Sequence, residues 1–495
     1  MAYLNDCGGK FKQALKDDTG KTVATLLWGD PLVVLQREAE RVQVRARRHK
    51  GWVPAACVGE VGLLELYIID VGQGDGVLMR TPHDDAWHLI DAGIRAAEQM
   101  TKKGAANFVR WKFIDELKLP AVQLANMVLT HPDADHFGGL VDVLSGALPD
   151  GRSFAVEVQN FWHPGMARFK DGDKLGAQRA DTSTTPQPNP SYGVKPAGKF
   201  ITELVDGKTH FKTPKRAFST DYAALAKLVG TVPKKVSRIE HNDTWLPGYE
   251  PAAGKASIRV LGPVVEKLAG GGKGLRVFDS ESVTRNGHSV ILRVDYGAAR
   301  VLLTGDSNTA SQRLLLSCQA PAEFAADVAK GCHHGSDDID LDFVRAMAAR
   351  ASVISSGDNE DYAHPRPRVL GACGRYGRDS VGSDGKVLPP LLYSTELARS
   401  VALAFAQRVR KVAEPAVLIK PEELEAAFTG TSTQGLYKRL SWLPMATDLV
   451  YGLINVRTDG ERILLGYMKE GGSDFDVKVF QAGVTAQGPA RSPPP

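Results

Sequence analysis

The sequence is poor in cysteine, which limits the folds and compartments it fits. Five cysteines among 495 residues are odd in number and widely scattered, at positions 7, 57, 318, 332 and 373. We therefore expect neither a disulfide framework nor a zinc site built from clustered cysteines. The first residues lack a basic region followed by an apolar run, so we expect no signal peptide. A reducing cytoplasm is the predicted location.

Long apolar runs and a large excess of one charge are also missing. No run of about 18 apolar residues occurs, so we predict no transmembrane helix and no membrane partner. Lys and Arg number 61 against 57 Asp and Glu, a net charge of +4 that neither requires nor excludes a nucleic-acid partner. The composition is that of a soluble globular protein, and the length predicts two or three domains.

Two glycine-rich stretches lack the context of a nucleotide-binding motif. After residues 71–76, Val-Gly-Gln-Gly-Asp-Gly, the pattern predicts another strand, whereas a dinucleotide fingerprint needs a helix there. In residues 270–274, Gly follows the lysine where a Walker loop needs Ser or Thr. We therefore interpret the first stretch as a hairpin turn and the second as a flexible turn.

Residues 1–60 form a separate unit in which short β-rich runs alternate with turns. The runs are 21–27, 32–35, 41–45 and 51–54, the last being Gly-Trp-Val-Pro. Strands this short with turns this close predict a small barrel. The pattern resembles a bacterial SH3-like domain, which implies a peptide or protein partner for this part of the chain.

Metal-binding side chains are concentrated in residues 129–140. His131, Asp133, Asp135 and His136 fall within six residues, between an apolar run and a Gly-Gly pair. This pattern predicts a strand that ends in a ligand-bearing loop and then opens a helix. Carboxylates and imidazoles together suit divalent cations such as Zn²⁺, Mn²⁺ or Fe²⁺.

Similar side chains recur where later apolar runs end. These are Asp306, the pair His333 and His334, and His364. Ligands at the ends of successive strands meet at one edge of a sheet, where α/β folds place their sites. Asp91 ends an earlier run beside a glycine. It is either a turn residue or a support for a metal ligand, and the neighbouring motifs favour the support role.

The order of these motifs resembles that of the metallo-β-lactamase superfamily. The matching stretches are residues 70–75, 89–93, 129–140, 286–289, 302–306, 333–336 and 362–365. Within the superfamily the sequence resembles the soluble hydrolase domain of the ComEC competence proteins, without their membrane channel. The resemblance implies an α/β fold, an αββα sandwich, preceded here by the small SH3-like β-barrel.

The resemblance implies two metal ions and a role for each matching ligand. His131 and Asp133 match ligands of one metal, Asp135 and His136 match ligands of the second, and Asp306 matches the carboxylate that bridges them. Asp133 stands where many members have histidine. That makes the site richer in oxygen and favours Mn²⁺, with Zn²⁺ left open.

Other matching residues receive catalytic or supporting roles. We expect His333 to be a metal ligand and His334 to bond to a substrate phosphate. His364 matches a late histidine that is either a ligand or a proton donor. The predicted catalytic residues are Asp135, His334 and His364. His288 is a candidate ligand, while Asn286 and Ser289 are weighed equally as structural residues.

The resulting prediction is a binuclear phosphodiesterase or nuclease that uses a metal-bridging hydroxide, with nucleic acid or another phosphodiester as substrate. One alternative is a metallohydrolase of a lactone, thioester or amide, because a fold does not determine its substrate. Another is a regulatory module whose metal site is structural. The predicted hydrolase domain covers 63–485, with insertions near 163–250 and 394–447 and a disordered tail at 487–495.

Overall fold

The structure is a computed structural model that describes residues 2–99, 102–356, 364–395, 452–468 and 474–483. It also describes a short antiparallel pair, Val409–Arg410 with Leu418–Ile419. Most of the predicted insertion at 394–447 and the whole predicted tail at 487–495 therefore lie outside the described residues. No helix within these ranges is long and apolar enough to cross a membrane.

The N-terminal unit is an antiparallel sheet of seven strands, compatible with a small barrel. In sheet order the strands are Thr22–Leu27, Lys12–Lys16, His49–Pro54, Arg41–Ala46, Pro31–Arg37, Ala2–Leu4 and Val58–Gly59. Apolar residues of these strands form their own core, which includes Leu15, Leu26, Val42 and Val44. The assignment as an SH3-like domain stays a prediction.

This unit contains a disulfide bond, although the scattered cysteines predict no disulfide framework. Cys7 and Cys57 are bonded to each other across a sequence separation of 50 residues. The strands Ala2–Leu4 and Val58–Gly59 pair antiparallel, and this pairing brings the two cysteines together. Spacing along the chain could not show it, because the first and last strands of the unit meet only in the folded sheet.

Two large sheets face each other in the rest of the chain. The first has nine strands, in the order Lys235–Arg238, Val156–His163, Val122–Val128, Ala86–Ala92, Gly76–Thr81, Leu64–Ile68, Ile454–Thr458, Arg462–Met468 and Phe475–Gln481. The second has six, in the order Ser257–Gly262, Ile291–Tyr296, Ala299–Leu303, Val328–Lys330, Ala351–Ile354 and Leu391–Ser394. Buried aliphatic residues of both sheets form the core between them.

Helices cover the outer face of each sheet. On the first lie Ala105–Arg110, continued by the π-helical turn Trp111–Glu116, with Ala134–Ser145, Lys208–Lys212 and Thr220–Val229. On the second lie Thr309–Cys318, Leu341–Met347 and Pro367–Tyr376, with Glu281–Gly287 against the first of these. The layers are helix, sheet, sheet, helix, which confirms the predicted αββα sandwich.

The segment predicted as an insertion at 163–250 is largely ordered. Parts of it join residues 266–276 in a small sheet of Gln178–Asp181, Gly198–Ile201, Lys273–Arg276, Glu266–Leu268 and Thr184–Thr185. Its helix Thr220–Val229 packs on Ala134–Ser145, with Tyr222 buried against Phe137. Lys235–Arg238 pairs with Val156–His163, so the predicted boundaries also enclose one strand of the hydrolase sheet.

Buried charges join the N-terminal sheet to the sandwich. The Asp30 carboxylate lies 2.8 Å from the Arg457 guanidinium, which belongs to the strand Ile454–Thr458, and it also pairs with Arg47. Arg457 and Asp30 are each 1% exposed. Arg457 also donates to the Trp28 carbonyl oxygen at 2.7 Å. Each charge is therefore compensated inside the contact, as buried ionic groups require.

Candidate metal centre

The loop that opens the centre is placed by a buried strand and by a glycine in the helix that follows. The strand Val122–Val128 ends at the loop, and the helix Ala134–Ser145 begins directly after Asp133. A Cβ atom at Gly139 would lie 2.0 Å from the Ala92 carbonyl oxygen. The helix can therefore approach the end of the strand Ala86–Ala92, which carries Asp91, only because glycine stands at this position.

One group of ligand atoms forms a small triangle. His136 Nε2 and His334 Nε2 lie 3.2 and 3.0 Å from Asp306 Oδ2, and 3.2 Å from each other. All three residues are buried. Metal–nitrogen bonds of about 2.0–2.1 Å place neighbouring ligand atoms roughly 3–3.5 Å apart. The triangle thus has the size of one face of a metal coordination shell.

A second, wider group lies around the same aspartate. His131 Nε2 is 3.8 Å from Asp133 Oδ2 and 3.9 Å from Asp306 Oδ2, and His333 Nε2 is 3.7 Å from Asp306 Oδ2. His131 Nε2 and Asp306 Oδ1 are buried, and neither makes a hydrogen bond to any described residue. Buried polar atoms nearly always have a bonding partner, so these two atoms fit the role of ligands to a cation. Asp306 stands between the two groups.

The other nitrogen of each of these inward-pointing imidazoles is held by an oxygen. His136 Nδ1 lies 2.8 Å from Asp91, which also accepts from the Thr130 backbone N–H at 2.8 Å. His334 Nδ1 hydrogen-bonds to the Ser355 carbonyl oxygen at 3.2 Å, and Asp75 Oδ1 lies at the same distance from it. Such carboxylate–histidine pairs set the ring orientation and leave Nε2 free to bind metal.

For His131, the oxygen near the other ring nitrogen belongs to Ser289. Its Oγ lies 3.3 Å from His131 Nδ1 and accepts the backbone N–H of Asp306 at 3.0 Å. The serine thereby ties one ligand to the backbone of another.

The carboxylate charges in and beside the triangle strongly change the pKa values of its histidines. Burial opposes protonation, but Asp306 and Asp75 raise the pKa of His334 to about 10. Asp306 and Asp91 likewise outweigh burial and raise the pKa of His136 well above its usual range. Burial and the neighbouring His136 lower the pKa of His131. Protons and divalent cations thus compete for the same nitrogens of His136 and His334.

The adjacent residues His333 and His334 take different positions in the structure. His334 lies in the triangle, whereas His333 is a quarter exposed and its Nε2 lies 3.2 Å from Asn286 Nδ2. The φ angles of the two histidines are 44° and 52°, so the chain turns in the left-handed region at both. This turn, which the sequence does not predict, directs His334 into the centre.

His288 does not reach the centre. Its Nε2 lies 2.7 Å from the Arg276 carbonyl oxygen, its ring stacks on Phe278, and burial lowers its pKa to about 4. The expectation that it is a ligand is therefore wrong, and its place is structural.

Three predicted residues lie around the mouth of the centre. Asp135 Oδ2 is 3.7 Å from His334 Nε2 and is partly exposed. The His364 ring lies 6.0 Å from that of His333, and burial followed by the neighbouring His334 lowers the pKa of His364 to about 3. Asp133 is paired with Arg285.

Three charged residues at the centre received no role from the sequence: Asp75, Arg285 and Lys330. Asp75 lies within the matching stretch 70–75, but the histidine ring that it approaches, that of His334, is about 260 residues away in the chain. Lys330 ends an apolar run just before the histidine pair. A lysine at the end of a buried strand is a signal for a buried carboxylate partner.

Comparison with known proteins places this geometry in a family. A family model described as "Metallo-beta-lactamase superfamily" matches residues 69–357. ComE operon protein 3 of Bacillus subtilis is 29% identical over 91 residues, which is 18% of this chain and 12% of that protein. Competence protein ComA of Neisseria gonorrhoeae is 32% identical over 96 residues, 19% of this chain and 14% of that protein. The matches thus span a small part of either relative.

Solved structures show fainter likenesses. One is Tm1679, described as a metal-dependent hydrolase of the beta-lactamase superfamily, at 14% identity and a TM-score of 0.31 over 63% of this chain and 93% of that chain. Another is CmlA, a diiron beta-hydroxylase from Streptomyces venezuelae, at 13% identity and a TM-score of 0.29 over 64% of this chain and 50% of that chain.

Proposed function

Because the chain belongs to the metallo-β-lactamase superfamily, and its fold and buried Asp and His cluster support a metal-dependent hydrolase, we propose that it cleaves phosphodiester bonds with two divalent cations. The observation that carries the proposal is the position of Asp306 between two groups of ligand atoms. His131 and Asp133 would hold one cation beside Asp306. His136 and His334 would hold the other, with Asp135 next to them.

The donor set favours a hard cation. Asp133, Asp135 and Asp306 supply carboxylate oxygens, and no cysteine sulfur belongs to the cluster. Oxygen-rich sites with imidazoles suit Mn²⁺ as well as Zn²⁺. We propose Mn²⁺ as the working metal, and activity measured with each metal alone decides between them.

Paired cations supply a water of lowered pKa and neutralise charge on the phosphoryl oxygens. The residues of the chain do the rest. Asp91 and Asp75 keep the Nε2 atoms of His136 and His334 directed into the centre. Asp135, at the open side, accepts the proton of the attacking water.

His364 handles the leaving group. Its ring lies 6.0 Å from that of His333, at the mouth of the centre. An imidazole in this position can donate a proton to the leaving oxygen as a general acid.

An excess of positive charge in residues 163–250 supports an anionic polymer as substrate. Residues 163–250 contain 14 Lys and Arg against 9 Asp and Glu, an excess of five where the whole chain has a net charge of only +4. The ComA match is also named as a competence protein. Electrostatic attraction of a phosphate backbone is the usual first step in nucleic-acid binding.

The test is hydrolysis by the purified, fully metallated protein. Single-stranded DNA, RNA, a cyclic dinucleotide and a generic aryl phosphodiester are compared with an aryl ester and a lactone. Asp306→Asn should abolish phosphodiester cleavage. Asp142→Asn, a buried aspartate on the same helix as His136 that pairs with Arg95, should keep it. Inactivity on every phosphodiester would refute the proposal, and turnover of the ester or lactone alone would assign the site to another bond.

A further inference from the structure

A buried lysine reaches the centre from the side opposite the histidines. Lys330 ends the strand Val328–Lys330 and is 3% exposed. Its ammonium group pairs with Asp75, donates to the Gly305 carbonyl oxygen at 3.0 Å and lies 3.7 Å from Asp306 Oδ1. A charged amine is costly to bury unless it is paired and hydrogen-bonded, and Lys330 meets both conditions.

Both carboxylates near Lys330 belong to the group that could hold a metal ion. Ligand atoms of Asp75, His136, Asp306 and His334 all lie within 4.8 Å of one another. Asp306 presents Oδ2 to the two histidines and Oδ1 to the lysine. The same carboxylates therefore face a fixed positive charge on one side and the cation position on the other.

We propose that Lys330 is a positioning residue of the metal centre, a built-in cation that balances Asp75 and Asp306 so that the ligands are assembled before metal binds. It also keeps Asp75 directed at His334 Nδ1, as the partner of a ligand. The inference rests on the proposed function only in requiring that the centre bind a divalent cation.

The effect of metal on the stability of a Lys330 variant distinguishes this role from ordinary packing. In Lys330→Met, the buried carboxylates lose their fixed countercharge, so the metal-free protein is destabilised. A divalent cation bound next to Asp306 restores positive charge at that place. The loss of stability should therefore be large without metal and mostly relieved by metal.

Lys112 offers a matched control. It is also a buried lysine, 2% exposed, and pairs with Glu116 at 3.0 Å in the turn Trp111–Glu116. Neither residue of this pair belongs to the metal centre. Lys112→Met should lower the melting temperature by the same amount with and without metal.

The experiment measures the melting temperature of the full chain with a chelator and with saturating Mn²⁺, and the Mn²⁺ affinity by calorimetry. We expect the difference in melting temperature between wild type and Lys330→Met to shrink by more than half when Mn²⁺ is added. The corresponding difference for Lys112→Met should stay constant. The melting temperature of Lys330→Arg should lie nearer that of wild type than that of Lys330→Met does. A Lys330→Met gap that is equal in both conditions overturns the proposal. Wild type that binds neither Mn²⁺ nor Zn²⁺ overturns the metal centre itself, and the proposed function with it.

A second variant keeps the test decisive if Lys330→Met does not fold. Asp75→Asn combined with Lys330→Met removes both charges of the pair, so no buried charge of that pair is left alone. We expect this protein to fold and to bind Mn²⁺ about 10–100-fold more weakly than wild type, because His334 has lost its carboxylate partner. Wild-type affinity in the double variant would overturn the proposal.

Discussion

Substituting Asp91 with asparagine tests whether the carboxylate–histidine pairs prepare the centre for metal. Asp91 is fully buried and accepts bonds from the Thr130 backbone N–H and hydroxyl and from His136 Nδ1. Asparagine has nearly the same shape but presents an NH₂ group in place of one oxygen. If Oδ1 keeps the Thr130 backbone bond, the NH₂ group faces His136 Nδ1. The ring must then accept at Nδ1 and carry its proton on Nε2.

The size of the effect follows from that change of tautomer. A proton on Nε2 blocks the atom that lies 3.2 Å from Asp306 Oδ2 and belongs to the ligand triangle. Loss of an oxygen that orients a metal-binding histidine typically costs 10–100-fold in metal affinity. At about 1.4 kcal/mol for each factor of ten, this is roughly 1.4–2.8 kcal/mol. Hydrolysis at subsaturating metal should fall by the same factor.

Calorimetric titration of Asp91→Asn with Mn²⁺ and with Zn²⁺ checks this expectation. Asp142→Asn is the control, since Asp142 is likewise buried, accepts the Ala96 backbone N–H at 2.8 Å and pairs with Arg95 outside the ligand groups. The control should retain wild-type metal affinity whatever it does to stability. Wild-type affinity in Asp91→Asn, with the protein folded, would refute the reasoning about tautomers.

Two further predictions concern stability and pH. Asp30→Asn leaves Arg457 buried without its acidic partner and weakens the pairing of Arg47, so we expect a loss of about 3–5 kcal/mol on unfolding by denaturant, and an unchanged transition would contradict it. Because His136 and His334 have raised pKa values, of about 10 for His334, metal binding at neutral pH must displace their protons. The apparent metal affinity should therefore rise with pH between about 6 and 9, by up to about tenfold per pH unit for each proton displaced, and a flat calorimetric profile would be inconsistent with this. The same raised pKa predicts that the stability contributed by protonated His334 in metal-free protein is complete below about pH 6.5 and is lost as the pH rises through about 10.

Much of the architecture follows from short-range patterns. Apolar runs ending in polar ligands predicted the strand Val122–Val128 and the helix Ala134–Ser145. The four β-rich runs predicted in residues 1–60 each coincide with an observed strand, whereas the strands Ala2–Leu4, Lys12–Lys16 and Val58–Gly59 have no counterpart among those runs. Local sequence determines these features because periodicity, turns and glycines act over a few residues.

Long-range contacts had to come from the fold. The disulfide between Cys7 and Cys57 and the pair of Asp75 with Lys330 each join residues far apart in the chain. Their proximity depends on which strands become neighbours and which loops meet at one edge. Charge and residue type alone do not specify that arrangement.

The sequence by itself determined that a loop bearing His131, Asp133, Asp135 and His136 ends a buried strand, because all four lie within six residues. Only the tertiary structure decided that His334, rather than His333, joins His136 and Asp306. Adjacent residues have nearly the same sequence environment, and a left-handed turn at both positions selects which ring points inward. It likewise placed His288 against Arg276 and assigned Lys330 its two carboxylates. The physical reason is that ligand type is a local property, whereas side-chain direction depends on backbone conformation and on the packing of distant strands.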